Sequence, residues 1–378
     1  MTVVFLTNAG TPVLAGDMLV SMPGPSAHTS LRLPSQPTGI VIPSDARPRY
    51  VPIRMRRKTF IVNDHMAAGA SGSEQHISMF RADLFEEFQH RPTFSQSDIE
   101  TFFDQYRASS RGSEVLENAG AIVLTEATDR TGYAVAGKAN HKRVLSQRLG
   151  QVVAIGSGAG SIIEQVGKTY NMGRAQPPDG GAGFPEFNSL AANLHLLGNM
   201  YWEEFVSARN LFDGWGGAYD LIYQDSTKAF RHLNDYTIFL RLLDIDHIDA
   251  GLQLWSVLRY ERRSDFSFIM LVNGDIWDVF GAKDITPSAY SVDVTFNKDE
   301  LTMNSEVHVV VVAVVKGNRR LAPIVYIEGL DSSGKGNRTV FSEYDETRGL
   351  EVLFHSERDK WLKEQVMTYY EERAYLFD

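Results

Sequence analysis

The chain has 378 residues, more than one typical domain needs and comfortable for two. Hydrophobic residues make up 43% and charged residues 22%, which excludes wholesale disorder and a fibrous repeat. A formal charge of -10 argues against a nucleic-acid or anionic-membrane partner, and the lack of cysteine excludes disulfides, thiolate catalysis and Cys-ligated metal sites.

Val3–Leu6 and Pro12–Ala15 are short apolar runs joined by residues 7–11, the pattern of an opening β-hairpin. Residues 22–50 carry Pro23, Pro25, Pro34, Pro37, Pro43 and Pro48 among Ser, Thr and Gly, which predicts a long loop or insertion. Strands are predicted at Val51–Met55, Thr59–Val62 and Met66–Ala70. The period then changes, and Ile77, Phe80, Leu84 and Phe88 share one face of a helix over 72–88. A second helix is predicted over Ser97–Tyr106, with Ser97 as N-cap and Glu100 completing a capping box. Strands follow at Gly120–Glu126, Thr131–Ala136 and Gln151–Ile155. The last runs into Gly156-Ser157-Gly158-Ala159-Gly160 and a helix over 161–170. Residues 173–187 read as irregular, Leu190–Asn210 as a long amphipathic helix and Trp215–Tyr223 as a strand.

This order predicts an α+β fold with two packed sheets covered by helices. From about residue 233 the texture is strand after strand. Tyr236–Leu243, Leu252–Tyr260, Phe266–Val272, Tyr290–Phe296, Val307–Val315, Pro323–Glu328 and Arg338–Tyr344 are separated by short polar turns. They predict a sandwich-like accessory domain over 233–378, closed by a charged amphipathic helix over 358–377. The first domain is expected to span 1–232.

Three motifs invite other chemistries. Residues 152–160 resemble a dinucleotide-binding turn, but Ser161 stands where the third glycine belongs. Residues 329–336 match most of a P-loop, but Gly336 follows Lys335 where a magnesium-binding hydroxyl is required, and a strand pattern comes next. Asp244, Asp246, His247 and Asp249 crowd one turn, but Ile248 and Ala250 break an EF-hand pattern. Each reads better as a polar turn, so no metal and no organic cofactor are expected.

A further set of residues shares one order and spacing. Thr2-Val3-Val4 leads to Ala15-Gly16-Asp17, then Lys58, Asn63-Asp64, Ala70-Ser71-Gly72 and Val153-Ala154-Ile155-Gly156-Ser157-Gly158. Over roughly residues 1–225 this resembles proteasome β-subunits and their bacterial relative HslV. The resemblance implies a four-layer αββα sandwich of the N-terminal nucleophile (Ntn) hydrolase type. It also implies a threonine peptidase or amide hydrolase that acts through Thr2 once Met1 is removed. Chemistry gives each position a reason. A freed Thr2 carries a hydroxyl nucleophile and an α-amine base in one residue. Lys58 would lower the pKa of both groups, and Asp17 would hold Lys58. The Gly72 amide would stabilise an oxyanion, and Ser157 would support the α-amine. Asn210 and Asp213, before Gly214-Trp215-Gly216-Gly217, match the family's second supporting pair, although Asn210 cannot carry the carboxylate charge found there.

Aligned without a gap, Met1 falls on the nucleophile position and Arg57 on that of the lysine. Lys58 keeps the spacing to Gly72 and is the preferred cation. The resemblance further implies a peptide or protein substrate and a homo-oligomer, with a ring among its forms. The alternative is a catalytically inactive scaffold of the same fold, acting through its C-terminal β region. No export leader is visible, so the cytoplasm is the expected compartment.

Overall fold

A computed structural model describes residues 3–23, 33, 35, 50–137, 141–171, 185–263, 266–273, 276–284, 305, 307–329, 340–345 and 349–376. The fold mixes helices with largely antiparallel sheets. The first strands are β1 (Val3–Asn8), β2 (Pro12–Asp17), β3 (Leu19–Pro23), β4 (Tyr50–Arg57), β5 (Thr59–Asn63) and β6 (Met66–Gly72). Three helices follow: α1 (Glu74–Phe88), α2 (Gln96–Ala108) and α3 (Ser110–Asn118). Next come β7 (Ala119–Glu126), β8 (Thr131–Ala136), β9 (His141–Ser146) and β10 (Gly150–Gly156). Helices α4 (Ala159–Val166), α5 (Pro185–Ser207) and α6 (Arg209–Phe212) precede β11 (Tyr219–Gln224) and β12 (Phe230–His232). The remaining strands are β13 (Asp235–Asp244), β14 (Leu252–Arg262), β15 (Phe266–Asn273), β16 (Ile276–Asp284), β17 (Val307–Lys316), β18 (Arg319–Arg320), β19 (Ile324–Glu328), β20 (Val340–Asp345) and β21 (Gly349–Phe354). The closing helix is α7 (Ser356–Glu371).

One sheet runs β12-β11-β2-β1-β10-β9 and another β5-β6-β7-β8. The opening strand shows why they stack. Val4 and Leu6 join Ala67, Ile122, Val153 and Ile155 in an apolar layer between the two sheets. Val3 and Phe5, on the opposite side of β1, join the α4 and α5 side chains Ile162, Leu194 and Leu197. A strand buried on both faces reads as the unbroken apolar run seen at the chain start. Helices α1, α2 and α3 cover the outer face of the four-stranded sheet through Phe80, Leu84, Phe88, Ile99, Phe103 and Val115. Glycines allow the sheets to approach. A Cβ at Gly69 would lie 2.6 Å from Val4 Cγ1, and one at Gly16 would lie 2.8 Å from Thr59 Cγ2.

The third sheet follows β18-β17-β13-β14-β15-β16-β4-β3, with β19 paired to β17. It recruits β3 and β4 from the N-terminal half, because β4 pairs in parallel with β16 at Lys283–Arg56 and Asp284–Arg57. A separate two-stranded sheet, β20-β21, places Phe354 against one face of it beside α7, and helices pack on both faces. Val309, Val311 and Val325 pack in the same apolar cluster as α5. Val310, Val312 and Val314, with the opposite facing, pack with Leu362 and Val366 of α7. That cluster also holds side chains such as Leu194 and Tyr201 together with Tyr236 and Tyr260, so apolar packing crosses residue 232 without a break.

Several boundaries differ from expectation. The capping box of α2 is Ser95 with Asp98, two residues before Ser97 and Glu100. Helix α3 and strands β3 and β9 were not anticipated, and β11 starts at Tyr219 because Gly214, Gly216 and Gly217 adopt positive φ. Asp244 caps a short 3-10 turn, accepting from Asp246 N at 3.0 Å and contacting His247 Nδ1 at 2.8 Å. The predicted strand at 290–296 and the core of the P-loop-like segment, 330–339, lie outside the described residues. Among the described residues no helix is long and apolar enough to cross a membrane, and no group of three or more His, Asp or Glu side chains is arranged to hold a metal ion.

Candidate functional site

The candidate site forms where β1 begins. Asp17 closes β2, and its Oδ1 accepts from the Val3 amide at 2.7 Å and from Lys58 Nζ at 2.9 Å. Its Oδ2 accepts from the Gly216 amide at 3.0 Å. Lys58, at the junction of β4 and β5, donates its second hydrogen bond to the Leu19 carbonyl. Both side chains are fully buried, at 2% and 0% exposure. Burial disfavours the charged ammonium and lowers the Lys58 pKa, while Asp17 opposes that shift. An ammonium has three hydrogens, of which these two bonds use two. The side chain of Arg57, the alternative cation, donates to the Arg263 carbonyl at 3.0 Å.

Other predicted residues converge on this point through the backbone. Gly156, at the end of β10, pairs with Val3, so Ser157 follows directly after the strand end that flanks the start of β1. Gly158 is the N-cap of α4 and lies against Trp215, whose ring a Cβ there would approach to 2.7 Å. Asn210 of α6 donates to Glu204 and, at 3.3 Å, to the Trp215 carbonyl. Asp213 is half-buried at the start of the same glycine-rich turn. The turn is fixed from both ends. Gly216 O accepts from Leu19 N at 3.2 Å, Ala218 O from Met18 N at 2.9 Å, and Ser21 Oγ donates to Gly214 O at 3.0 Å.

Gly72 stands further off. It ends β6 with φ +125°, and a Cβ there would meet the Asn118 carbonyl at 2.4 Å. The strand passes Lys58 two residues earlier, where Ala70 N donates to Lys58 O at 3.1 Å. Thr2 lies outside the described residues.

Two participants escaped the sequence reading. Glu204 of α5 is fully buried and accepts from Ser35, Asn210 and the Gly217 amide, the last at 3.1 Å to each oxygen. Its available signal was a charge on the helix face that carries Leu194, Leu197 and Tyr201 into the core. Ser35 belongs to the Pro-rich stretch. It is buried, as is Leu33.

A third buried carboxylate sits on the neighbouring strand. Asp220 faces Gly16 across the β2–β11 pairing. It accepts from Thr59 at 2.6 Å, Tyr260 at 2.9 Å and Arg262 at 2.7 Å, with His232 at 3.7 Å. Burial works to raise its pKa, but Arg262, His232 and the hydrogen bonds outweigh this and hold it well below the usual carboxylate range. No protein-family model matches the sequence, and no curated protein matches it.

Proposed function

We propose that the chain is an N-terminal-threonine hydrolase of the proteasome-like Ntn type, acting on peptide or other amide bonds. In this reading the stacked sheets with helices on their outer faces are the four-layer αββα sandwich of that class. The observation that carries it is the buried Lys58–Asp17 pair at the beginning of β1, with the Val3 amide, the peptide link to Thr2, donating to Asp17. A lysine kept out of water next to the first described residues of β1 is costly, and activating a hydroxyl nucleophile on the preceding residue would give that cost a use.

With Met1 removed, the Thr2 hydroxyl attacks the substrate carbonyl carbon while the free α-amine takes its proton. The charge on Lys58 favours the developing alkoxide and keeps the amine unprotonated nearer neutral pH. Collapse of the tetrahedral intermediate breaks the C–N bond, and the departing amine collects the proton. The resulting ester on Thr2 is hydrolysed by water. A homo-oligomer is part of the proposal, with the region from 233 onward serving assembly or substrate access.

A catalytically inactive scaffold is the second reading. It is favoured by how thoroughly main-chain groups engage the pair, since Val3 N, Gly216 N and Leu19 O would anchor β1 with no chemistry at all. Intact mass spectrometry separates the two. The hydrolase requires loss of Met1 and labelling by a threonine-directed electrophile that Thr2→Ala abolishes. Retained Met1, or labelling unchanged in Thr2→Ala, overturns it.

A further inference from the structure

Glu204 gathers donors from three separate pieces of chain: the Ser35 hydroxyl, Asn210 Nδ2 and the Gly217 amide. The preceding amide, that of Gly216, is the one bound to Asp17 Oδ2. One peptide link therefore separates the grip on Glu204 from the grip on Asp17. There is little slack between them. A Cβ on residue 216 would lie 2.1 Å from Glu204 Oε2 and 2.5 Å from Asn210 Nδ2, so only glycine fits where carboxylate and turn meet.

We propose that Glu204 is a positioning residue for the Asp17–Lys58 pair: it holds the turn at 214–217 that holds Asp17, and it binds Ser35 at the same point. The effect on reactivity rests on the hydrolase reading, whereas the mechanical coupling does not. Burial pushes the Glu204 carboxyl up to about 7, against its hydrogen bonds and with added repulsion from Asp17. The titratable groups around it are Asp17 of β2 with Lys58 behind it, Tyr219 of β11 and Tyr201 on its own helix. Ionised, Glu204 is a pure acceptor that suits all its donors. Protonated, it gives up acceptor capacity and brings a hydrogen that needs a partner of its own. Burial outweighs those hydrogen bonds, so the closed turn binds the proton more tightly than an opened, hydrated one, and its hold loosens as pH rises through neutrality.

Hydrogen exchange of the backbone over residues 214–218, corrected for the intrinsic pH dependence of exchange, tests the coupling on the full chain. Protection in the parent protein should fall several-fold as pH rises, with a midpoint near neutral pH, and Glu204→Gln should lose that step. Ser35→Ala removes one donor from the ionised carboxylate and should move the midpoint upward; it keeps the test decisive if Glu204→Gln does not fold. No step in the parent, the same step in Glu204→Gln, or an unmoved midpoint in Ser35→Ala would overturn the proposal. Electrophile labelling of Thr2 over the same pH series reads the consequence. A step in exchange that Glu204→Gln removes, with Thr2 unlabelled at every pH, would sink the hydrolase reading and leave the coupling standing. Labelling without the exchange step would do the reverse.

Discussion

Lys58 and Asp17 show how much a buried charge depends on its partner. Lys58→Met should destabilise the protein by about 3–5 kcal/mol, because it leaves the Asp17 carboxylate buried without its cation. Lys58→Met combined with Asp17→Asn should cost less than the sum of the single changes, as urea midpoints of the four proteins would show; simple additivity would mean that the pair is not coupled. Glu204 and His195 carry opposite pH signatures. The carboxyl of Glu204 rises from 4.5 to about 7 on folding, so the native state binds the extra proton. Its contribution is full below pH 4.5 and is lost as pH climbs through 7. Burial pulls the imidazole of His195 down from 6.5 to about 4, with Arg148 adding to the effect. Its contribution is present above 6.5 and is lost as pH falls through 4. Each gap is worth about 3 kcal/mol, and between pH 4.5 and 6.5 the two slopes oppose each other. Stability measured across that window should therefore tilt upward with pH in Glu204→Gln and downward in His195→Gln, relative to the parent. Parallel curves for all three proteins would rule out both assignments.

Elements were legible where one physical signal dominated. The opening run Val3–Leu6 is apolar on every residue, and its short length and β-branched Val3 and Val4 favour a strand buried on both faces. The α2 boundary was not legible because two overlapping boxes, Ser95 with Asp98 and Ser97 with Glu100, satisfy the same local chemistry. The pairing of Asp17 with Lys58 came from the family resemblance and not from any local signal. Glu204 could not be singled out, since it looks like its exposed neighbour Glu203 until tertiary packing separates them. Glycine is equally ambiguous in sequence, yet at Gly69 the structure is specific. Gly69→Ala would drive a methyl into Val4 and push the stacked sheets apart, costing about 1–3 kcal/mol. Val4→Ala in the same chain should restore part of that loss, measured as a recovered thermal midpoint. Failure of Val4→Ala to restore any stability would mean that the sheet separation does not depend on this contact.

Across the whole molecule, the expected division at residue 232 meets a packing arrangement that does not stop there. Helix α5 is the middle layer. Gly198 brings it close to the third sheet, where a Cβ would lie 3.0 Å from Val325 and 3.1 Å from Val311. On its other side, Asn193 donates to Thr7 of β1 at 2.7 Å. Polar ties reinforce the apolar ones. Tyr260 and Arg262 of β14 both reach Asp220 in β11, and the Tyr236 hydroxyl donates to the Tyr219 carbonyl at 2.9 Å. Separating the halves would expose Leu194, Leu197, Tyr201 and Trp202 to water and strand Asp220 without its guanidinium. Two regions linked in this way should melt together, so calorimetry is expected to show one cooperative transition for the full chain. Arg262→Met should lower that transition without splitting it, because the apolar layer still joins the halves after the ion pair has gone. Two resolved transitions in the parent protein would show that the layer around α5 is too weak to make them one unit. A split appearing only in Arg262→Met would assign the coupling to the buried charges instead.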